Sequence, residues 1–529
     1  MRYRVPGIHL WLDEPKDALE RRVADRLGVA RGELARLSVA RRSLDARRKG
    51  HPRWVIDAEV EVEGGLPSLP AGVETVPAPE PIPPPVRAPE LPPVVLGAGP
   101  AGLFCAWGLL ERGVRSIVVD RGKTVGPRRR DVAQLMRAGT LDTESNMNFG
   151  EGGAGAYTDG KLSTRIRHPA VRKVVELFAR FGNAEGIKVQ GKPHVGSDVL
   201  PAAVSAMREE LERGGCTFVW NARAVDVEVV EGRVRGLVLA DGRTLPCDRL
   251  VLAPGNSARE IYERFAARGW PIEAKPFAVG FRVEHPQSLI DRIQYGRAAG
   301  AEGLPAADYR LAENPSVGGK ARGVFSFCMC PGGVVVPTPT EAEMQVTNGM
   351  SNSGRSSPLA NAGLVVAVSP DDFAAEGFKG PLAGLEWQRK WERAAYSLGG
   401  GGYRAPAQRL AAWLSAKPGE PPGKSSYRPG LTHADLSQLY PPQVHEALRA
   451  AVRGFDHRMR GFVSPDALLI GIESRTSAPC RIPRGEDMQA PGLAGLYPAG
   501  EGAGHAGGIV SSAVDGMKAA EAICRELER

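Results

Sequence analysis

The chain has 529 residues, 42% of them apolar and 24% charged, with a net charge of +8. These are the proportions of an ordinary globular protein long enough for more than one domain. Seven scattered cysteines, an odd number, argue against a secreted disulfide framework, and no run of 18 apolar residues exists to cross a membrane. The opening MRYRVPGIHLWLDEP has no apolar stretch of the signal-peptide kind, so a cytoplasmic location is expected. The positive charge permits an anionic ligand or nucleic acid without requiring either.

Residues 1–64 read as a small α+β unit. Leu19, Val23 and Leu27 share one face of a predicted helix over 15–29. Trp54, Ile56, Ala58, Val60 and Val62 alternate along a predicted strand over 53–63, so a helix on two or three strands is expected. Between them lies RLSVARRSLDARRKGHPR, either a phosphate-binding stretch or a solvated strand edge blunted by cations. Residues 66–93 carry eleven prolines. They predict an extended spacer, so 65–93 is taken as a linker.

PPVVLGAGPAGLFCAWGLLERGVRSIVVDRG follows. Val94–Leu96 is a short buried strand, Gly97 to Gly102 a tight turn, Leu103 to Arg112 a helix and Ser116–Val119 a second strand ending at Asp120. Strand, glycine turn, helix and acid stand in the order of a dinucleotide-binding βαβ unit. Gly97 permits the turn, Gly99 the approach of a pyrophosphate, and Gly102 close packing. Pro100, Ala101 and Arg121 belong to the same cradle, and Asp120 can accept from a ribose hydroxyl. Farther on, LVLAPGNSA (250–258) brings Ala253 and Gly255 to a second turn. LYPAGEGAGHAGGIV brings Gly500, Glu501, Gly507, Gly508 and Ile509 to a third. Three separated segments converging on one extended ligand point to FAD, with Glu501 on its ribityl hydroxyls.

On NFGEGGAGAYTDGKLSTR, KPHVGSD, FAVGFRVEHPQ, RGVFSFCMCPGG, NGMSNSGR and GIESRTSAP the chain resembles a bacterial family of FAD-dependent dehydrogenases, within the two-domain FAD oxidoreductases. The likeness runs over nearly the whole chain. It departs at Asp120, where glutamate is frequent, and at His505, where an aromatic is frequent. It implies an α/β fold (α+β overall): a Rossmann-like FAD-binding domain over 94–275 and 462–529, an inserted mixed-sheet substrate domain over 276–461, and the N-terminal unit. It implies no substrate.

Within the shared stretches, Gly150, Gly152 and Gly153 form a loop that can bring backbone amides against the cofactor. Lys161 stands near the flavin N1–C2 edge or on the surface of that loop. Glu473 and Arg475 hold an anionic substrate or lock a domain interface. His194 and His285 read as structural or acid–base groups. VFSFCMC and GGVVVP read as strands, QRLAAWLSA and HEALRAAVRGF as helices. Cys328 and Cys330 are a packed strand-and-turn lining the cavity, a strained redox pair, or a source of one reactive thiol. The other cysteines form no second pair, so no metal is expected.

The reading favoured is a flavoenzyme moving a hydride between flavin N5 and a small molecule. Its alternatives are a flavin-dependent RNA-modifying enzyme docking nucleic acid through residues 1–64, and a non-catalytic flavin-binding protein. No CxxxxC pair is present, and the glycine run 399–402 lacks a preceding strand. NAD(P)H, if it is the transient donor, must therefore bind without its own Rossmann domain. No membrane contact is expected.

Overall fold

The computed structural model of the chain describes residues 1–15, 17–77 and 83–529. The N-terminal unit is an antiparallel sheet ordered Leu34–Asp45, Arg53–Val62, Arg2–Trp11, Glu74–Thr75, with one helix, Ala18–Leu27, against it. Ile56, Ala58, Val60 and Val62 meet Val23 and Leu27 of the helix in one apolar cluster. The arginine-rich stretch supplies the outer strand. The fourth strand, Glu74–Thr75, pairs with Tyr3 and Arg4 and comes from inside the expected linker. Its stretch GVET is free of proline, so its amides remain available to a ladder. Of that linker, residues 78–82 lie outside the described residues. Farther along, Val86 N donates to Arg112 O at 2.9 Å, and Arg112 Nε donates to Pro84 O at 2.7 Å.

Five short parallel strands form the next layer, in the order Leu496–Pro498, Leu250–Leu252, Val94–Leu96, Ile117–Val119, Thr217–Val219. All but the outermost read as near-continuous apolar runs, because helices cover the sheet. Pro100–Glu111 and Ile509–Leu527 pack on one face with Val174, Leu177 and Phe178. The first of these helices begins at Pro100 rather than Leu103. Proline suits the first helical turn, where its missing N–H is no loss.

The third layer is a mixed sheet of seven strands: Ala312–Glu313, Val324–Cys330, Leu359–Val368, Phe277–Pro286, Leu468–Glu473, Ala405–Arg409, Leu431–His433. Leu468–Glu473 therefore belongs here and not to the C-terminal nucleotide-binding segment expected from residue 462. It is buried throughout and pairs on both sides, with Phe277–Pro286 and Ala405–Arg409. QRLAAWLSA is helical only over Leu410–Leu414, since Gln408 and Arg409 close the preceding strand. HEALRAAVRGF lies in the helix Pro442–Arg458 as expected. The glycine run 399–402 follows the helix Ala383–Leu398, not a strand.

Candidate cofactor and substrate cleft

A cleft of about 370 Å³ opens beyond the carboxyl ends of the parallel strands, toward the mixed sheet. This is where ligands bind in open α/β sheets. At one end it is lined by Gly97, Gly99, Pro100, Ala101, Asp120, Arg121 and Gly153, with Ala253 and Gly255 alongside. Gly97 has φ +105°, and a Cβ there would lie 2.1 Å from Ala253 O. A Cβ at Gly102 would lie 1.8 Å from Gly97 O, so Gly102 is a packing glycine and does not line the cleft. Gly99 differs from both. A Cβ there meets nothing nearer than Gly153 Cα at 3.8 Å and would project into the cleft. The Asp120 carboxylate accepts from Ala98 N (2.9 Å) and Gly122 N (2.8 Å), fixing the turn. Arg121 lies over the Phe149 ring, bonded to both Glu144 oxygens (2.8 Å each) and to Glu260 (2.7 Å).

The glycine-rich loop is held from beneath by a residue the sequence does not announce. Arg128 is fully buried and donates to the carbonyls of Asn146 (2.8 Å), Glu151 (2.6 Å), Met147 (3.0 Å) and Gly153 (2.8 Å). Glu151, also buried, accepts from Val125 N and Arg208, each at 2.7 Å. In GPRRRD three consecutive arginines fan out around the helix, and no spacing marks Arg128 as the one turned inward. Gly150 and Gly152 do not line the cleft. Gly150 is crowded by Arg128 and Lys123 O, and Gly152 by Val204 and Ala156.

Toward its other end the cleft passes Gly500, Glu501, Gly507, Gly508 and Ile509, the last opening the helix Ile509–Leu527. Burial raises the Glu501 carboxyl to about 7, partly opposed by Lys275. The facing wall comes from the mixed sheet at Phe327, Cys328, Glu473 and Arg475, and from the two-stranded sheet Gly333–Pro337 with Thr347–Ser351 and its flanks at Thr338, Val346, Thr347 and Asn348. Phe327 pairs with Gly363 and Cys330 with Asn361, so Cys328 and Met329 bulge opposite one residue. Cys328 takes φ +41° there, a strained position for a residue with a Cβ. Its thiol faces the cleft while the surrounding protein desolvates it, and this burial raises it to about 12. A neutral thiol is a poor nucleophile. Cys330 points inward and is buried. Its Sγ lies 3.2 Å from Cys328 O, and both cysteines are free thiols.

Arg282 lies under this wall, fully buried. It donates to Cys328 O (2.9 Å), Asn361 Oδ1 (3.0 Å) and Glu473 Oε2 (3.1 Å), joining four strands of the sheet. Burial raises the Glu473 carboxyl to about 7 against the pull of Arg282. Thr347 Oγ1 is buried and has no partner among the described residues.

Glu473 and Arg475 both reach the cleft but do not pair with each other. Arg475 is bonded to Glu392 at 2.8 Å, and Glu392 also binds Arg259 at 2.7 Å and accepts from Ser474. Arg259 opens the helix Arg259–Ala267 beside the parallel sheet, and Glu392 lies in Ala383–Leu398 beside the mixed sheet. Arg475 therefore locks two layers together. Lys161 does not line the cleft. Its ammonium is taken by Met329 O and by Asp159 (3.5 Å), behind the bulge that carries Cys328. His194 contacts Ser353 O, and His505 contacts Ile482 O at 2.9 Å. His285 contacts Phe462 O at 2.8 Å, and burial pulls it down to about 4, which keeps it neutral. Among the described residues no cluster of His, Cys, Asp and Glu could hold a metal.

The residues present fit FAD. Gly99, Gly255 and Gly507 leave open space where side chains would intrude, which suits the close approach of an extended cofactor. Two helix starts, at Pro100 and Ile509, lie at the cleft and suit its pyrophosphate. Fold and cleft together define a flavoprotein with a Rossmann-like FAD-binding domain. A sequence profile described as FAD-dependent protein, C-terminal domain-like, matches residues 276–476, and one of a domain of unknown function matches 5–61. An uncharacterized protein of Clostridium beijerinckii is 39% identical over 100% of this chain and 99% of its own. The chain belongs to this family of FAD-dependent proteins, and FAD is its cofactor. Menaquinone reductase of Mycolicibacterium smegmatis is 32% identical over 34% of this chain and 41% of its own. Protein FixC of Salmonella typhi is 28% identical over 39% and 47%. Among solved structures, a geranylgeranyl bacteriochlorophyll reductase-like protein of Thermoplasma acidophilum superposes with TM-score 0.35 at 11% identity, over 84% of this chain and 80% of that one.

Proposed function

We propose that the protein is a FAD-dependent oxidoreductase, a dehydrogenase or reductase acting on a small molecule held against the mixed-sheet wall. The observation that carries this reading is the continuity of the cleft. It runs from the Gly97–Asp120 cradle past Glu501 to a wall bearing Cys328, Thr347 and Glu473. Bound FAD supplies a centre that accepts or returns a hydride. Glu473, poised near neutrality, is suited to hold or release a proton at its Oε atoms. Arg282 keeps that carboxyl in place and steadies the Cys328 bulge. The matches to a menaquinone reductase and to FixC, each over a third or more of the chain, support a redox role.

The test is an anaerobic titration of the yellow protein with NADH, NADPH and candidate substrates, following loss of flavin absorbance. Bleaching by one of them, reversed by an acceptor, is the expected result. A flavin that no donor reduces would make the protein a flavin-binding module instead. The rate of reduction should bend near pH 7 as Glu473 changes charge, and Glu473→Gln should flatten that bend.

The thiols enter this chemistry as packing groups. Cys328→Ser and Cys330→Ser should each retain FAD, and the air-oxidised protein should show the intact mass of free thiols. A mass two hydrogens lower, localised to residues 328–330 and coupled to flavin reduction, would make the protein a dithiol oxidoreductase.

A further inference from the structure

The N-terminal sheet carries a second groove, which shares no lining residue with the flavin cleft. Trp11, Arg53 and Asp45 stand side by side across three strands, Trp11 opposite Arg53 and Arg53 opposite Asp45. Arg53 is three residues from Ile56, which faces the helix, so the row lies on the sheet face turned away from Ala18–Leu27. Residues 46–51 close one end, and Trp11, Asp45, Arg47, Arg48, His51 and Arg53 line a groove there. The Trp11 ring is 42% exposed, unusual for so large an apolar group, with the Arg53 guanidinium 6.0 Å from its centroid.

Charge is concentrated at the same place. Of the seven basic residues in 36–53, Arg47, Arg48 and Arg53 line the groove and Arg41 shares its face, whereas Arg42 lies over Trp54 on the helix side and Arg36 pairs with Glu61. Asp45 is already taken by Arg47 at 2.8 Å and Arg53 at 3.5 Å. Arg41, Arg48 and Lys49 are exposed and have no carboxylate within ion-pair reach among the described residues. Part of the loop is used to dock the unit: Gly50 N donates to Tyr295 O at 2.9 Å, and His51 meets Arg297. That contact accounts for Gly50 and His51. It leaves the exposed Trp11 ring and the Arg48 guanidinium free of that docking contact.

We infer that this groove binds single-stranded nucleic acid, with a base stacked on Trp11 and phosphates on the flanking arginines. An exposed indole gives any base a face to stack on, and guanidiniums take phosphate oxygens in pairs. The polymer is favoured over a free nucleotide by the length of the cationic track. From Arg47 and Arg48 it continues along the outer strand to Arg41, at roughly 3.3 Å per residue. One nucleotide does not span that track, whereas a strand neutralising several cations gains by releasing counterions.

The test uses the full-length, FAD-loaded protein and fluorescence anisotropy of a labelled single-stranded oligouridylate of about a dozen residues. Binding at low salt that falls steeply with added salt is expected. Trp11→Ala should weaken it about tenfold at fixed salt, and Trp11→Phe should restore most of the loss. Arg47→Glu with Arg48→Glu should also weaken it and lower the salt slope. All these variants should keep the FAD content of the parent, which shows that they fold. No binding at low salt would overturn the inference. Binding indifferent to Trp11→Ala would reduce it to charge attraction and overturn the site. Competition by ADP at molar parity with the oligomer would assign the groove to a free nucleotide and overturn the polymer.

Discussion

Gly99→Val should yield a folded protein without flavin colour. Gly99 has φ −79°, which valine adopts freely, and a Cβ there touches no protein atom within 3.5 Å. The branched side chain would therefore be tolerated by the chain and would fill the path of the pyrophosphate. Overpacking of that kind costs about 3 kcal/mol, more than a hundredfold in FAD affinity. Loss of the bound cofactor should also lower the unfolding temperature, since a ligand at a hundred times its Kd stabilises by about 2.7 kcal/mol. Gly102→Ala separates this from simple damage. Its Cβ would sit 1.8 Å from Gly97 O, so that variant should misfold rather than merely lose colour. A folded yellow Gly99→Val protein, measured by flavin-to-protein absorbance ratio, would remove the cofactor from this cradle.

Glu392→Gln should destabilise the protein by about 3–5 kcal/mol, the range for removing one partner from a buried ion pair. It leaves Arg259, 1% exposed, and Arg475 without their shared carboxylate. Burial alone would raise the Glu392 carboxyl, but Arg259 and Arg475 override it and hold it at about 2, against an ordinary 4.5. A carboxyl lowered in the folded state stabilises above its unfolded value, and that stabilisation is lost as pH falls through the folded one. The gap between parent and variant should therefore be widest above pH 4.5 and shrink toward pH 2. Urea midpoints across that range measure it. A constant gap would show that packing, not charge, holds the two layers together. Arg259 keeps Glu341 at 2.8 Å, so Arg475 is the cation left without an ion pair, and replacing Arg475 by methionine in the same chain should recover part of the loss.

The βαβ unit was legible because glycine spacing, apolar strands and a terminal acid are all local, and the Cβ collisions at Gly97 and Gly102 explain why no other residue serves there. The alternation from Ile56 to Val62 was legible for the same reason: one strand buries one face. What could not be read were pairings across distance. Arg128 looks like its neighbours Arg129 and Arg130 until the 146–153 loop folds over it. Lys161 looked like a cofactor contact because nothing local reveals that Asp159 and Met329 O claim its ammonium. Glu473 and Arg475 stand two residues apart, and nothing local reveals that each finds its counter-charge far along the chain, at residues 282 and 392. Leu468–Glu473 was assigned to the wrong layer because a fully buried strand carries no periodicity that names its sheet.

The parallel sheet has a consequence for how the protein is made. Leu250–Leu252 and Leu496–Pro498 are neighbours in that sheet, yet the whole substrate domain lies between them in sequence. At about 5–20 residues per second, a ribosome needs tens of seconds to deliver the second strand after the first. Until then the 250–252 strand has one open edge, and the Glu501 side of the cleft does not exist. A prematurely terminated chain thus retains the front half of the nucleotide cradle but lacks the Glu501 side of the cleft. Flavin capture becomes a late checkpoint on complete synthesis. Nascent chains stalled before residue 496 should remain protease-sensitive in the presence of excess FAD.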